Sequence, residues 1–77
     1  MPIIQEFAKL VKEKRREMHK TQEQTAGDCH ISTRHLQRIE QERSMPSLDV
    51  ALRLAKYLGI SLDALLADIS LEEHSPF

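Results

Sequence analysis

The sequence has little of what cross-links, breaks or anchors a chain: its 77 residues include one cysteine, two glycines and three prolines. The lone Cys29 cannot form a disulfide within the chain, so we expect a reducing, cytoplasmic setting. No apolar run approaches the roughly 20 residues that a transmembrane helix requires, and we expect no membrane partner. Few glycines and prolines also mean few positions at which a helix must end. A small helical domain is the expected class.

Signatures of catalysis and of metal binding are also missing. The sequence contains no glycine-rich phosphate loop, no GxSxG motif and no nucleophile beside an evident base. Cys29, His30 and His35 are candidate metal ligands, but Cys29 and His30 are adjacent and project differently. No second CxxC or HxxxH pair accompanies them. We therefore expect neither an enzyme nor a metalloprotein, and no cofactor or small-molecule ligand is evident.

Basic residues are absent from the C-terminal end of the chain. Residues 1–56 hold all 11 lysines and arginines against 8 acids, a balance of +3, whereas residues 57–77 hold 4 acids and no base. The net charge is only −1, but one end of the molecule suits a polyanion and the other would be repelled by it. Acidic C-termini are common in proteins of many kinds. The charge pattern alone therefore leaves the partner open.

Apolar residues recur with the period of an α-helix almost throughout, and no strand-like alternation is visible. Thr21 and Gln24 have the spacing of a capping box, and Ser32 and Ser47 are expected to cap the two helices that follow. Gly59 lies where a left-handed residue most easily closes a helix. The sequence predicts an all-α fold with one domain over 1–67 and a C-terminal tail over 68–77. Five helices are expected, at about Ile3 to Met18, Thr21 to Cys29, Ser32 to Gln41, Leu48 to Leu58 and Leu62 to Ala67.

The third predicted helix turns its basic residues away from its apolar side. With Leu36 at 0° and roughly 100° per residue, Ile39 falls near 300° and Glu40 near 40°, so the core lies between them. Arg34 and Arg38 then lie near 160° and 200°, roughly opposite the core. The fork of an arginine matches the two acceptors of guanine. An ordinary solvated face also carries arginine, but the position after a short helix and a tight turn favours DNA binding.

The order of these residues resembles that of a known family. The stretch TQEQTAGDCHISTRHLQRIEQERSMPSLDVALRLAKYLGISLDALL resembles the lambda-repressor-like (Cro/cI or XRE) helix-turn-helix domain, and the resemblance covers about Phe7 to Leu66. The matching positions are Gln22, Ala26, Ile31-Ser32, Ile39-Glu40, Pro46-Ser47, Leu54-Ala55 and Leu58-Gly59-Ile60-Ser61-Leu62.

The resemblance implies a set of DNA contacts. Base edges would be read by Thr33, Arg34 and Arg38. Contacts to the phosphate backbone would come from Gln22, Gln41 and Arg43. We also expect one from Gln37, which flanks the two arginines on the outer face of the third helix.

The resemblance also implies an ion pair between Arg15 and Glu40. Elementary electrostatics agrees, because Glu40 projects inward, where an unpaired carboxylate is costly. Arg43, three residues further along, is the local alternative partner.

The sequence departs from the family pattern at four positions. His30 stands where the tight turn usually has glycine. A left-handed backbone is uncommon for other residues, but histidine is among those enriched there, so we expect the turn to be kept with some strain. Thr25 and Lys20 occupy positions that are usually or often apolar, which thins a small core. Glu42 replaces a frequent glycine beside an expected phosphate, so its charge would weaken that contact.

We therefore expect a transcriptional regulator that binds a palindromic operator in double-stranded DNA as a homodimer, with its third helix in the major groove. Two copies would place these helices about 34 Å apart. The alternative is a helix-turn-helix fold that binds another protein, such as an antitoxin or regulatory subunit, with weak or no DNA binding. Glu42, His30 and the near-neutral charge favour this alternative. The predicted dimer surface consists of Leu62, Leu65, Leu66, Leu71 and Phe77.

Overall fold

The computed structural model describes residues 2–67, and within that range it contains helices and no strands. The predicted all-α class is confirmed. The segment 68–77, and with it the predicted dimer contacts Leu71 and Phe77, lies outside the described residues. The helices are α1 (Pro2–Glu17), α2 (Gln22–Asp28), α3 (Thr33–Glu40), α4 (Leu48–Leu58) and α5 (Leu62–Ala67).

Side-chain hydroxyls begin three of these helices, as the sequence predicts. Thr21 and Gln24 form a complete capping box: Gln24 N donates to Thr21 Oγ1 at 3.0 Å, and Thr21 N donates to Gln24 Oε1 at 2.9 Å. Ser32 Oγ accepts from His35 N at 3.0 Å and so opens α3. At α4, Ser47 Oγ accepts from Val50 N at 3.3 Å. The short α2 and α3 therefore have fixed starting points.

The ends of α1, α2, α3 and α4 share one closing motif, in which a left-handed residue turns the chain back onto the helix. Only α4 uses glycine there, at Gly59 (φ 70°). The other three use His19 (φ 57°), His30 (φ 60°) and Glu42 (φ 62°), which costs roughly 1 kcal/mol or more at each position. The compensating backbone bonds run from Lys20 N to Arg15 O, Ile31 N to Ala26 O, Arg43 N to Arg38 O and Ile60 N to Ala55 O.

One hydrophobic core joins all five helices. The first helix is central, because α3, α4 and α5 each pack against it, while α2 packs against α3. This arrangement buries one side of α3 and leaves the opposite side facing solvent. The core residues are Phe7, Val11, Ala26, Cys29, Leu36, Ile39, Leu54, Ala55, Leu58, Ile60 and Leu65.

The position of Leu65 in this core corrects the predicted dimer surface. Leu65 is only 7% exposed, because α5 lies against α1 and turns this side chain toward Phe7 and Ile3. Leu62 and Leu66 are 41% and 62% exposed. Two leucines of α5 are therefore available to a partner, and Leu65 is not.

Thr25 places a polar side chain in the hydrophobic core. Its side chain is fully buried, and Oγ1 has no hydrogen-bond partner among the described residues. An unsatisfied buried hydroxyl costs about 1–3 kcal/mol.

Replacing this threonine by valine removes the hydroxyl and keeps the shape of the side chain. We expect Thr25→Val to raise the free energy of unfolding by about 1 kcal/mol, measured by urea denaturation. Thr21→Val is the matched control. It removes a capping oxygen instead and should lower the same quantity by about 1 kcal/mol. A Thr25→Val variant less stable than the unsubstituted protein would show that the hydroxyl has a structural role.

Candidate nucleic-acid interface

The outer face of α3 is basic and open. Leu36 and Ile39 are fully buried, whereas Arg34 and Arg38 are exposed on the opposite side, four residues apart along the helix. Among the described residues, neither guanidinium takes part in a salt bridge. Thr33, half-buried, is the first residue of α3. The helix thus presents two exposed cations, with a half-buried threonine at its first position.

A buried ion pair holds α3 against α1. Arg15 Nε donates to Glu40 Oε2 at 2.7 Å, and Arg15 Nη2 donates to Glu40 Oε1 at 3.0 Å, so the contact is bidentate. The side chains are 12% and 2% exposed. The hydrogen bond with Glu40 raises the pKa of Arg15, and Nη1 also donates to Lys20 O at 2.9 Å. Arg43, the alternative partner, is exposed instead.

Gln22 and Gln37 extend this ion pair into a network. Gln22 Nε2 donates to Glu40 Oε1 at 3.1 Å, and Gln37 Nε2 donates to Gln22 Oε1 at 3.4 Å. The first residue of α2 is thereby linked to α3, a connection that sequence reasoning missed. An amide nitrogen carries two N–H groups, so the bond to Glu40 uses only one N–H of Gln22.

The remaining predicted backbone contacts lie just beyond α3. Gln41 is the C-cap of the helix, and Arg43 follows two residues later; both are exposed. Between them Glu42 holds a left-handed backbone and an exposed carboxylate. Its charge lowers the positive potential at this end of the helix, as the sequence suggests.

The turn before α3 is held by α4, and no sequence motif indicates this. Arg53 Nη1 donates to Cys29 O at 2.9 Å and to His30 O at 3.4 Å. Tyr57 Oη donates to Asp28 Oδ2 at 2.6 Å. The two side chains line a cleft of about 420 Å³ beside the turn, together with Lys56.

The candidate metal ligands do not form a site in the part of the chain that the structure describes, where no three potential ligands cluster. Cys29 is buried, and burial raises the pKa of its thiol, which keeps the sulfur protonated. Its Sγ donates weakly to Arg53 O at 4.0 Å. Cys29 therefore serves the core.

A short capped helix, a tight turn and a second helix with an exposed basic face together define a helix-turn-helix DNA-binding domain. The chain belongs to the Cro/C1-type (XRE) helix-turn-helix family, whose model matches residues 11–65. That family consists of DNA-binding regulatory domains rather than enzymes. No curated protein and no solved structure gives a significant match to the chain. Across residues 2–67, no helix has the length and apolarity needed to span a membrane.

The buried ion pair makes a strong prediction about stability. Arg15→Met leaves Glu40 buried without its cation, so we expect the free energy of unfolding to fall by about 3 kcal/mol. Thermal and urea unfolding without DNA measure this loss. Arg16→Met is the matched control: it removes the same charge from the next, exposed position of α1 and should change stability by less than about 0.5 kcal/mol. Equal stabilities for the two variants would contradict the structural role given to Arg15.

Proposed function

We propose that the protein is a transcriptional regulator that binds a palindromic operator as a homodimer, with α3 in the major groove. One observation carries this proposal. Arg34 and Arg38 project from the side of α3 opposite the buried Leu36 and Ile39, without salt-bridge partners among the described residues.

Base readout is assigned to the exposed face of α3. Each arginine can donate two parallel hydrogen bonds to O6 and N7 of a guanine. The methyl group of Thr33 can contact that of a thymine, at the helix end that enters the groove. Phosphate contacts are assigned to Gln22, Gln37, Gln41 and Arg43. Gln22 donates to Glu40, the last residue of α3, and Gln41 and Arg43 follow that residue in the chain.

The dimer is proposed because one α3 is too small for selective binding. Its eight residues span only about 12 Å and reach few base pairs. Two copies related by a twofold axis would place their helices in successive major grooves, about 34 Å apart.

An apolar surface at the start of α4 is the proposed contact between the copies. Leu48 and Met45 are 75% and 62% exposed there. They border a cleft of about 280 Å³. The other walls of this cleft include Leu62 of α5 and Ile3 and Phe7 of α1. Leu52 and Leu66, one turn beyond Leu48 and Leu62, continue the apolar surface along both helices.

The size of this surface fits a second copy of the chain. Its five exposed leucine and methionine side chains offer on the order of 500 Å². A standard interface buries about 800 Å² per partner, and a polar rim normally supplies the remainder. Compared with the prediction from sequence, the proposed contact keeps Leu62 and Leu66 and loses Leu65.

A second candidate function is an interaction module for another protein. The exposed cleft around Leu48 and the carboxylate of Glu42 next to Arg43 favour it. Salt distinguishes the two functions. Contact with several phosphates makes affinity fall steeply as salt rises, whereas an apolar protein contact is nearly insensitive.

Selection of duplexes from a random pool, followed by salt titration, tests DNA recognition. We expect Arg34→Ala and Arg38→Ala each to weaken the preferred duplex by about 1–3 kcal/mol and to relax base preference. Arg43→Ala is the control; it should weaken all duplexes alike and reduce the salt slope by about one. An Arg34→Ala variant with unchanged base preference would remove readout from this residue. A flat salt response of the unsubstituted protein would favour the protein-interaction module.

Leu48→Glu tests the dimer. A charge in the proposed apolar contact should convert a dimer at micromolar concentration into a monomer, measured by sedimentation velocity. Met18→Glu is the control, because Met18 is a partly exposed apolar residue that follows the C-terminal end of α1, whereas the cleft lies near its N-terminal end. A Leu48→Glu protein that remains dimeric would move the contact elsewhere.

A further inference from the structure

A row of polar side chains on α4 faces the turn between α2 and α3. Asp49, Arg53 and Tyr57 follow one another at intervals of four residues, so they share one side of the helix. Asp49 Oδ2 accepts from Arg53 Nη2 at 2.7 Å and steadies the guanidinium from the solvent side. The other end of the guanidinium reaches the turn.

Arg53 supplies hydrogen bonds that the turn itself lacks. The last carbonyl groups of a helix need partners outside the helix. In this turn, Ala26 O accepts from Ile31 N at 3.0 Å and Gly27 O accepts from His30 N at 3.2 Å. Arg53 Nη1 donates to the carbonyls of the two residues that follow α2, to Cys29 O at 2.9 Å and to His30 O at 3.4 Å. A cation at this end of α2 also opposes the partial negative charge of the helix terminus.

Tyr57 holds the same end of α2 through a second bond. Its hydroxyl donates to Asp28 Oδ2 at 2.6 Å, and this bond raises the pKa of Tyr57 to about 12. The hydroxyl therefore stays protonated, and stays a donor, at any physiological pH. Asp28 lies at a helix C-terminus, where a carboxylate is unfavourable, and the bond from Tyr57 offsets part of that cost.

The two ends of α3 are thus held by arginines from different helices. Arg15 of α1 holds the C-terminal end through Glu40. Arg53 of α4 holds the carbonyl of His30, only three residues before Thr33, where α3 begins. A shift of that carbonyl would be passed to Thr33 and Arg34, because the capped start of α3 is rigid.

We infer that Arg53, assisted by Tyr57, is a positioning residue that aims the N-terminal end of α3 at the bases without touching DNA itself. The inference rests on the proposed base readout by α3. A positioning role for Arg53 has a different consequence from a purely structural role. A structural brace would change stability and weaken all duplexes together, whereas a positioning residue changes the preference at particular base pairs.

The test compares the base preference of variants of α3 and α4 on the duplex selected from a random pool and on its single-base-pair substitutions. Arg34→Ala and Arg38→Ala first identify the base pairs that depend on each end of α3. We expect Arg53→Met to reduce discrimination about tenfold at the base pairs sensitive to Arg34→Ala. At those sensitive to Arg38→Ala, discrimination should stay within about twofold.

Lys56→Met is the matched control. It removes one cation from the same helix and the same cleft, and no hydrogen bond to the turn is lost among the described residues. Lys56→Met should leave the preference at every base pair within about twofold. Arg53→Lys, which keeps a donor but loses the fork, should give an intermediate preference. Equal behaviour of Arg53→Met and Lys56→Met overturns the inference, whatever happens to their melting temperatures.

If Arg53→Met does not fold, Tyr57→Phe provides the test. This variant removes only the hydroxyl that donates to Asp28 and keeps the ring. Discrimination at the base pairs sensitive to Arg34→Ala should then fall about threefold, and an unchanged value overturns the inference. Failure of the proposed function looks different. It would appear as an absence of any base preference in the unsubstituted protein, which would overturn both proposals.

Discussion

The bidentate contact between Arg15 and Glu40 is the interaction on which the arrangement of α3 depends. An eight-residue helix is too short to persist by itself, so its orientation must come from tertiary contacts. Leu36 and Ile39 anchor it through close packing in the core. The nearly inaccessible carboxylate of Glu40 adds direction, because its partners must lie at fixed distances and angles. Removing one partner of such a pair is costly, because it leaves the other charge buried and unpaired.

Features governed by local sequence were accessible to prediction. Thr21 and Ser32 were expected to cap α2 and α3, because a capping oxygen needs only a backbone N–H two or three residues further on. The wheel of α3 correctly placed Arg34 and Arg38 outside, because helical geometry alone fixes their angle to Leu36. His30 was expected to take a left-handed backbone, which it does. In each case the physical cause lies within a few residues of its effect.

Features that depend on packing were predicted poorly or missed. Leu65 has the same sequence character as Leu62 and Leu66, and only the docking of α5 on α1 decides which of them is buried. The bond from Gln22 to Glu40 spans 18 residues, and that from Arg53 to Cys29 spans 24. No periodicity links positions so far apart. The pairing of Arg15 with Glu40 was accessible only because a family resemblance supplied the missing geometry.

The distribution of ion pairs explains how a chain with a net charge of −1 suits a polyanion. Within the described residues, Arg15 and Arg53 are committed to Glu40 and Asp49, and Lys14 lies 3.7 Å from Glu17. These three cations are paired within the fold, whereas Arg34 and Arg38 on the outer face of α3 take part in none of the three salt bridges. Potential close to DNA is set by nearby unscreened charges, since interactions beyond about 10 Å are largely screened at physiological salt. The charge of the surface around α3 therefore matters more for recognition than the net charge of the whole chain.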